Sequence, residues 1–165
     1  MTETPTLSHV DDQGRARMVD VSSKSPSART AVAAGRVIVG GEALQLVREN
    51  GIQKGDVLTV ANVAGVLGAK QTSRLLPLCH DVVLQNVEIE FDLDDEAGAV
   101  DVRAIVKTEG PTGVEMEALT AVSVAALTVY DMCKSVTKDI EITGVHLLAK
   151  TGGRSGDYRR APSPN

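Results

Sequence analysis

The sequence predicts an α+β domain in which helices cover a β-sheet, and two observations carry this prediction. Apolar and polar residues alternate at period two from position 87 to 93 and again from 100 to 106, which is typical of half-buried strands. Residues 115–136 form a run of about six helical turns, and the stretch between Glu117 and Asp131 is almost free of charge, as expected of a buried helix. Strand and helix patterns therefore share one chain of 165 residues, the size of a single domain.

The first half of the chain predicts one strand and two helices. Residues 31–39 are rich in Ala, Val and Ile and stop at a glycine pair, which indicates a buried strand. Residues 42–49 are helix formers that end at an Asn-Gly pair. In residues 57–74 apolar side chains recur three and four positions apart, after Asp56, whose carboxylate can cap the free amides.

The second half predicts a hairpin, a long helix and a last strand. Residues 87–93 and 100–107 flank an acidic turn, residues 115–136 are helical, and residues 140–148 form a final apolar strand. The resulting order matches a ferredoxin-like split βαβ sandwich with one additional helix. Because this architecture hosts many functions, the function must be inferred from particular side chains.

The two ends of the chain lack such patterns. Residues 1–30 are predicted to be an irregular N-terminal segment and residues 159–165 a flexible tail, which leaves one domain at 31–158. Residues 1–9 have no apolar core of the kind that a secretory signal needs, and no run approaches about 18 continuous apolar residues. We therefore expect neither export nor a membrane partner.

Composition narrows the class of protein further. One Phe, two Tyr and no Trp leave a core of small aliphatic residues, and we expect oligomerisation to offset the smaller area that each buries. The net charge of -5 argues against a nucleic-acid partner, because phosphate binding needs a basic surface. Two cysteines, Cys79 and Cys133, cannot form a disulfide framework, so we expect reduced thiols in a cytoplasm.

Asp131 and Lys134 close the long helix and are the first candidates for chemistry. Their spacing places them on one helix face. An Asp at a helix C-terminus is electrostatically disfavoured, so it calls for a reason beyond stability. In a partly dry site the two groups could serve as proton acceptor and donor, and a bare surface ion pair is the alternative.

Lys54 and the Cys79-His80 pair are weaker candidates. Lys54 precedes a helix start, where free amides attract anions, although an exposed lysine beside an ordinary cap explains it as well. The thiol and imidazole suit a nucleophile, a metal ligand or a hydrogen bond to a ligand. Without a second Cys/His group at zinc spacing, the pattern favours a packed cysteine beside a half-exposed histidine, and no metal is expected.

Two further segments are ambiguous on their own. Glu115 and Glu117 begin the long helix, where compensation of the helix dipole explains carboxylates about as well as catalysis does. Residues 150–157 contain two cations, three glycines and hydroxyl groups, which suit a loop around phosphate oxygens. A flexible solvated tail is an equal alternative there.

Four segments, Met18–Ser22, Leu76–His80, Gly113–Thr120 and Tyr130–Lys134, resemble in sequence and order the MoaC family, the cyclic pyranopterin monophosphate synthases. The resemblance covers about residues 7–160. It implies a lyase that converts (8S)-3′,8-cyclo-7,8-dihydroguanosine 5′-triphosphate to cyclic pyranopterin monophosphate and releases pyrophosphate. That reaction is an early step of molybdenum cofactor (molybdopterin) biosynthesis.

The resemblance also implies roles for individual residues. The acid/base centre consists of Asp131, Lys54 and Lys134. The substrate-binding segments contain Leu78, Cys79, His80, Met116 and Glu117, with Glu115 nearby as a further polar contact. The carboxylates suit the N–H edge of guanine. The cations for the triphosphate are Arg29, Lys70, Lys150 and Arg154. Two positions depart from the family pattern, since Asp81 stands where a proline is common and Arg154 where a lysine is common.

Members of the family are ferredoxin-like and form hexamers, as trimers of dimers, with active sites at subunit boundaries. Arg29 and the two glutamates are therefore expected to come from a different chain than Asp131. No resident cofactor is expected, although Mg²⁺ can accompany the triphosphate. The alternatives are a non-catalytic small-molecule-binding module and an inactive duplicate copy. Neither needs Lys54, Asp131 and Lys134 together.

Overall fold

Five strands form one antiparallel sheet in the computed structural model, which describes residues 10–11 and 13–161. Its elements are, in chain order, β1 (Ser27–Ile38), α1 (Gly41–Arg48), α2 (Val57–Leu75), β2 (Leu84–Asp94), β3 (Ala99–Gly110), α3 (Glu115–Cys133), β4 (Glu141–Thr151) and β5 (Tyr158–Arg159). The strand order is β2-β3-β1-β4-β5, and every neighbouring pair is antiparallel. Strands β1 and β2 are thus parallel with β3 between them, which confirms the predicted α+β class and fits a split βαβ unit.

One face of the sheet builds the core. Alternation along β1 turns Ala31, Ala33 and Val37 inward, and each is fully buried. On β3, Val102 and Val106 occupy the same face and are equally buried. The centre of the sheet consists of small aliphatic residues, as the aromatic-poor composition predicted. These small side chains leave room for helices to approach the sheet closely.

Helices α2 and α3 pack on this face and on each other. The two helices approach closely because Gly65 and Gly68 of α2 have no side chains. A Cβ on Gly65 would lie 3.0 Å from the carbonyl oxygen of Ala121 on α3, and a Cβ on Gly68 would lie 2.8 Å from Val124 Cγ2. By length and apolar composition α3 resembles a membrane-spanning helix. Nine of its 19 residues are buried against α2 and the sheet, so its apolar character belongs to the core.

Several predicted boundaries were wrong. β1 begins at Ser27, so the prediction of an irregular segment up to residue 30 was too long by four residues. Three of the four residues from 27 to 30 are polar, namely Ser27, Arg29 and Thr30, and pairing with β3 rather than hydrophobicity makes this stretch a strand. α3 ends at Cys133, three residues before the predicted end at 136, and a turn follows. The two-residue strand β5, which pairs with β4, was not predicted.

Candidate functional site

Asp131, in the last turn of α3, lies between two ammonium groups. Its Oδ2 is 2.9 Å from Lys54 Nζ, and its Oδ1 is 2.6 Å from Lys134 Nζ. Lys54 Nζ also donates to the backbone carbonyl of Asp131 at 2.7 Å. That carbonyl is among the last four of the helix, which lack helical partners and carry the negative end of its dipole. Lys54 therefore stabilises a helix end and a carboxylate together, and Lys54, Asp131 and Lys134 are called the ion triad below.

The ion triad holds its carboxyl group as an anion. Hydrogen bonds from Lys134 and then from Lys54 lower the pKa of Asp131 to about 2. The same contact raises the pKa of Lys134, which remains an ammonium at neutral pH. The side chains of Lys54 and Asp131 are 42% and 57% exposed, so the partly dry site that the sequence suggested is not formed within one chain.

The position of Lys54 depends on how α2 begins. Asp56 caps that helix as the sequence predicted: its carboxylate accepts from the backbone N–H of Thr59 at 3.0 Å and from the Thr59 hydroxyl at 2.6 Å. Two residues before this cap, Lys54 lies in the turn that leads into α2. The capped start of α2 therefore fixes the turn that places the Lys54 ammonium group beside the C-terminal end of α3.

A cleft of about 210 Å³ lies at the other end of α3. It is lined by Leu78, Cys79, His80, Val82, Thr112, Gly113, Glu115, Met116 and Glu117. The six residues Leu78, Cys79, His80, Glu115, Met116 and Glu117, which the family resemblance assigned to substrate binding, are all in this set. The other three were not predicted, because Val82 and Thr112 look like ordinary strand-end residues in the sequence and Gly113 carries no side chain.

The two glutamates of this cleft differ in their surroundings. Glu115 has its Oε1 3.5 Å from Lys150 Nζ, and it folds over Gly113, where a Cβ would lie 1.9 Å from its Oε2. Glu117 is only 5% exposed. Burial raises the pKa of Glu117, and the negative charge of Glu115 raises it further. A hydrogen bond from the backbone N–H of Glu117 to its own carboxyl group opposes this shift.

The surroundings of Cys79 and His80 suit contacts with a ligand in the cleft better than nucleophilic attack or metal binding. Burial and the charge of Glu117 raise the pKa of Cys79, so it is a thiol and not an activated thiolate. His80 Nε2 lies 2.8 Å from the carbonyl oxygen of Val19, which can only accept, so that nitrogen donates. In the described part of the chain, no group of three His, Cys, Asp or Glu residues could hold a metal ion.

A larger basic pocket of about 550 Å³ adjoins the start of β1. It is lined by Lys24, Ser25, Pro26, Ser27, Arg29, Gly153, Arg154 and Ser155. Three cations and three hydroxyl groups around one cavity suit phosphate oxygens. Lys24, Ser25 and Ser27 escaped the sequence analysis, because they fall in the stretch judged irregular and carry no local pattern.

The shape of this pocket depends on Arg29 and a glycine pair. Arg29 donates to the carbonyls of Gly110 at 2.9 Å and of Pro111 at 3.1 Å. Gly153 has a φ of 80°, and a Cβ there would lie 2.1 Å from Arg29 Nη1. The backbone N–H of Gly152 donates to Asp157 at 3.0 Å. The segment after β4 is thus a folded loop rather than the solvated tail that was the alternative.

Lys150 joins the cleft to the basic pocket. Its Nζ lies 3.5 Å from Glu115 Oε1 and donates to Ser155 Oγ at 2.5 Å. Arg29, Lys150 and Arg154 therefore form one region, as the triphosphate assignment requires. Lys70 does not join them: it is exposed on α2, and within residues 10–11 and 13–161 it forms no ion pair or side-chain hydrogen bond.

The ion triad and the cleft lie apart within one chain. Glu117 and Asp131 are 14 positions apart on α3, which at 1.5 Å per residue is about 21 Å. One chain therefore presents these two sets of functional groups at opposite ends of α3.

The sequence of this chain is similar to those of several known proteins. The MoaC family model matches residues 18–153. A protein of Salinibacter ruber named cyclic pyranopterin monophosphate synthase is 62% identical over 96% of this chain and 94% of its own length. One of the same name from Chloroflexus aggregans is 54% identical over 95% of each chain. Molybdenum cofactor biosynthesis protein 1 of Mus musculus is 54% identical over 94% of this chain, which corresponds to 24% of that protein. The chain therefore belongs to the MoaC family.

Proposed function

We propose that this chain is a cyclic pyranopterin monophosphate synthase, a lyase of molybdenum cofactor biosynthesis. Its substrate is (8S)-3′,8-cyclo-7,8-dihydroguanosine 5′-triphosphate, and its products are cyclic pyranopterin monophosphate and pyrophosphate. Relatives of that name match nearly the full chain. The observation in the structure that supports the activity most directly is the ion triad, in which Lys54 and Lys134 hold the Asp131 carboxylate between them.

The chemistry of the reaction suits these groups. Opening the purine and closing a pyran ring requires protons to be removed at some atoms and delivered at others. Asp131 is a carboxylate that can accept a proton, and Lys54 and Lys134 are ammonium groups that can donate one. The anionic triphosphate is matched by the basic pocket, to which Arg29 and Arg154 contribute.

We propose further that two copies of the chain complete each active site. The base of the substrate and the atoms that react are a few bonds apart, whereas Glu117 and Asp131 of one chain are about 21 Å apart on α3. The exposure of the ion triad supports this proposal, since a second chain could cover it. Exposed apolar side chains on the helices offer contact surface for such a copy; they are Val60, Val63, Leu67 and Leu127.

The expected assembly is a hexamer built as a trimer of dimers, and the expected compartment is the cytoplasm. Cys79 and Cys133 are free thiols, which fits a reducing environment. No resident cofactor is expected to take part in the reaction. Mg²⁺ would enter with the triphosphate, whose protein partners here are cationic and hydroxyl side chains.

The direct test is to incubate the purified protein with the cyclised GTP derivative and to follow pyrophosphate and cyclic pyranopterin monophosphate by mass spectrometry. Release of both products is the expected result. Tight binding without product would favour the inactive copy. Neither binding nor turnover would favour a binding module for a different small molecule.

A further inference from the structure

Lys54 belongs to neither helix, although its ammonium group completes the ion triad. It lies between α1 and α2, and its Nζ reaches Asp131 across 77 positions of the sequence. A lysine side chain is long and flexible, so its ammonium group keeps one place only where the backbone beneath it is fixed as well. The loop between the two helices must therefore hold Lys54.

A tight turn carries Lys54. The backbone N–H of Gly55 donates to the carbonyl of Ile52 at 2.9 Å, which makes Lys54 the third residue of a four-residue turn. Ile52 is 5% exposed and belongs to the hydrophobic core. Just before it, the N–H of Gly51 donates to the carbonyl of Leu46 in α1 at 2.8 Å. The turn is therefore anchored on the side of α1.

Gly55 meets a requirement of conformation and not of space. Its φ is 102°, whereas Asn50 in the same loop has a φ of 52°, close to the left-handed helical value of about 57°. A Cβ on Gly55 would meet nothing within 4 Å. An L residue at this position would be strained although its side chain has room, so the turn would have to change shape.

Asp56 fixes the other side of the turn. Its carboxylate accepts from the hydroxyl and the N–H of Thr59, and these bonds lower the pKa of Asp56. Within residues 10–11 and 13–161 Asp56 forms no ion pair, and Lys54 forms one with Asp131 alone. Asp56 therefore acts on Lys54 through the backbone and the helix cap rather than through its charge.

Resting on the proposed function, we propose that Gly55 and Asp56 are positioning residues for the reaction and that both act through Lys54. The turn and the cap hold the Lys54 ammonium group where it stabilises the Asp131 carboxylate and can donate a proton. A displacement of about 1 Å in a catalytic group can cost about a hundredfold in rate. The cleft and the basic pocket are lined by other residues, so loss of either positioning residue should lower kcat and leave KM nearly unchanged.

Two variants of Asp56 separate its cap from its charge. Asp56→Asn keeps a side-chain oxygen for the N–H of Thr59, so its kcat should stay within about twofold of the wild-type value. Asp56→Ala removes the cap, and its kcat should fall about tenfold at an unchanged oligomer size. Steady-state kinetics with the cyclised GTP derivative measures both. Equal losses in the two variants, or full activity in Asp56→Ala, would overturn the proposal.

Gly55→Ala tests the turn itself, and its kcat should fall about tenfold to a hundredfold while KM stays within about twofold. Gly144→Ala is the matched control, expected to keep its activity: Gly144 lies on β4 with a φ of 63°, and its Cβ would also meet nothing within 4 Å. A higher KM at unchanged kcat in Gly55→Ala would contradict the proposal, because it would show that this glycine lets the backbone approach the substrate.

A crystal structure of Gly55→Ala gives a readout that does not depend on turnover. Lys54 Nζ is expected to lie more than about 4 Å from Asp131 Oδ2, beyond ion-pair distance, compared with 2.9 Å in the wild-type chain. A retained contact would overturn the proposal alone, whereas absence of turnover in the wild-type protein would remove the proposed function. If Gly55→Ala does not fold, the comparison of Asp56→Asn with Asp56→Ala decides.

Discussion

The two ends of α3 present carboxyl groups in opposite environments. Glu117 in the first turn is 5% exposed and has a raised pKa, whereas Asp131 in the last turn is 57% exposed on its side chain, with a pKa near 2. The helix dipole alone predicts the reverse order, since it favours an anion at the N-terminus. Burial at one end and two ammonium groups at the other outweigh it. Local partners, rather than the helix, decide what each acid can do.

The largest effect is expected from Asp131→Asn. The amide keeps the shape of the side chain but cannot accept a proton, so kcat should fall by about 10²- to 10⁴-fold while substrate binding changes little. Steady-state kinetics with the cyclised GTP derivative would measure this. Asp139→Asn is the matched control, because Asp139 is an exposed acid just beyond the same helix. Retained turnover in Asp131→Asn would remove the ion triad from the mechanism.

A smaller effect is expected in the basic pocket from Gly153→Ala. The new Cβ would meet Arg29 and shift its guanidinium group, so KM should rise about tenfold through the loss of a phosphate contact. Gly156→Ala is the control, because it has a similar positive φ but nothing within 4 Å of its Cβ. Equal effects of the two substitutions would show that backbone strain, and not Arg29, explains the loss.

The smallest effect concerns acid stability. The pKa of Asp131 is lowered from 3.8 to about 2, so its ion pairs stabilise the fold above pH 4 and are lost as pH falls toward 2. Melting temperatures of the wild-type protein and Asp131→Asn should therefore differ at neutral pH and converge in that acid window. A difference that stays constant down to pH 2 would show that the ion pairs do not contribute.

Much of the fold was predictable from local patterns. The alternation in β2 and β3, the Asp56 cap and the uncharged run of α3 each reflect residues that determine their own local structure. The polar start of β1 and the short β5 were missed, because they are strands only through pairing with residues far along the chain.

The candidate site was predictable in part. The i, i+3 spacing brings Asp131 and Lys134 together, whereas the contact of Lys54 with Asp131 spans 77 positions and has no local signal. The family resemblance supplied that residue and six of the residues that line the cleft. It did not indicate which carboxyl group is buried, because burial depends on the packing of α3 against the loop before β2.

The most direct test of a site shared between the two helix ends is a mixing experiment. Asp131→Asn subunits and Glu115→Gln/Arg29→Ala subunits, each nearly inactive alone, would be co-expressed with different tags and purified as mixed oligomers. If each site takes its ion triad from one chain and its cleft from another, random pairing restores about a quarter of the wild-type sites. That recovery is the predicted result. Activity no greater than the sum of the two separate variants would contradict a shared active site.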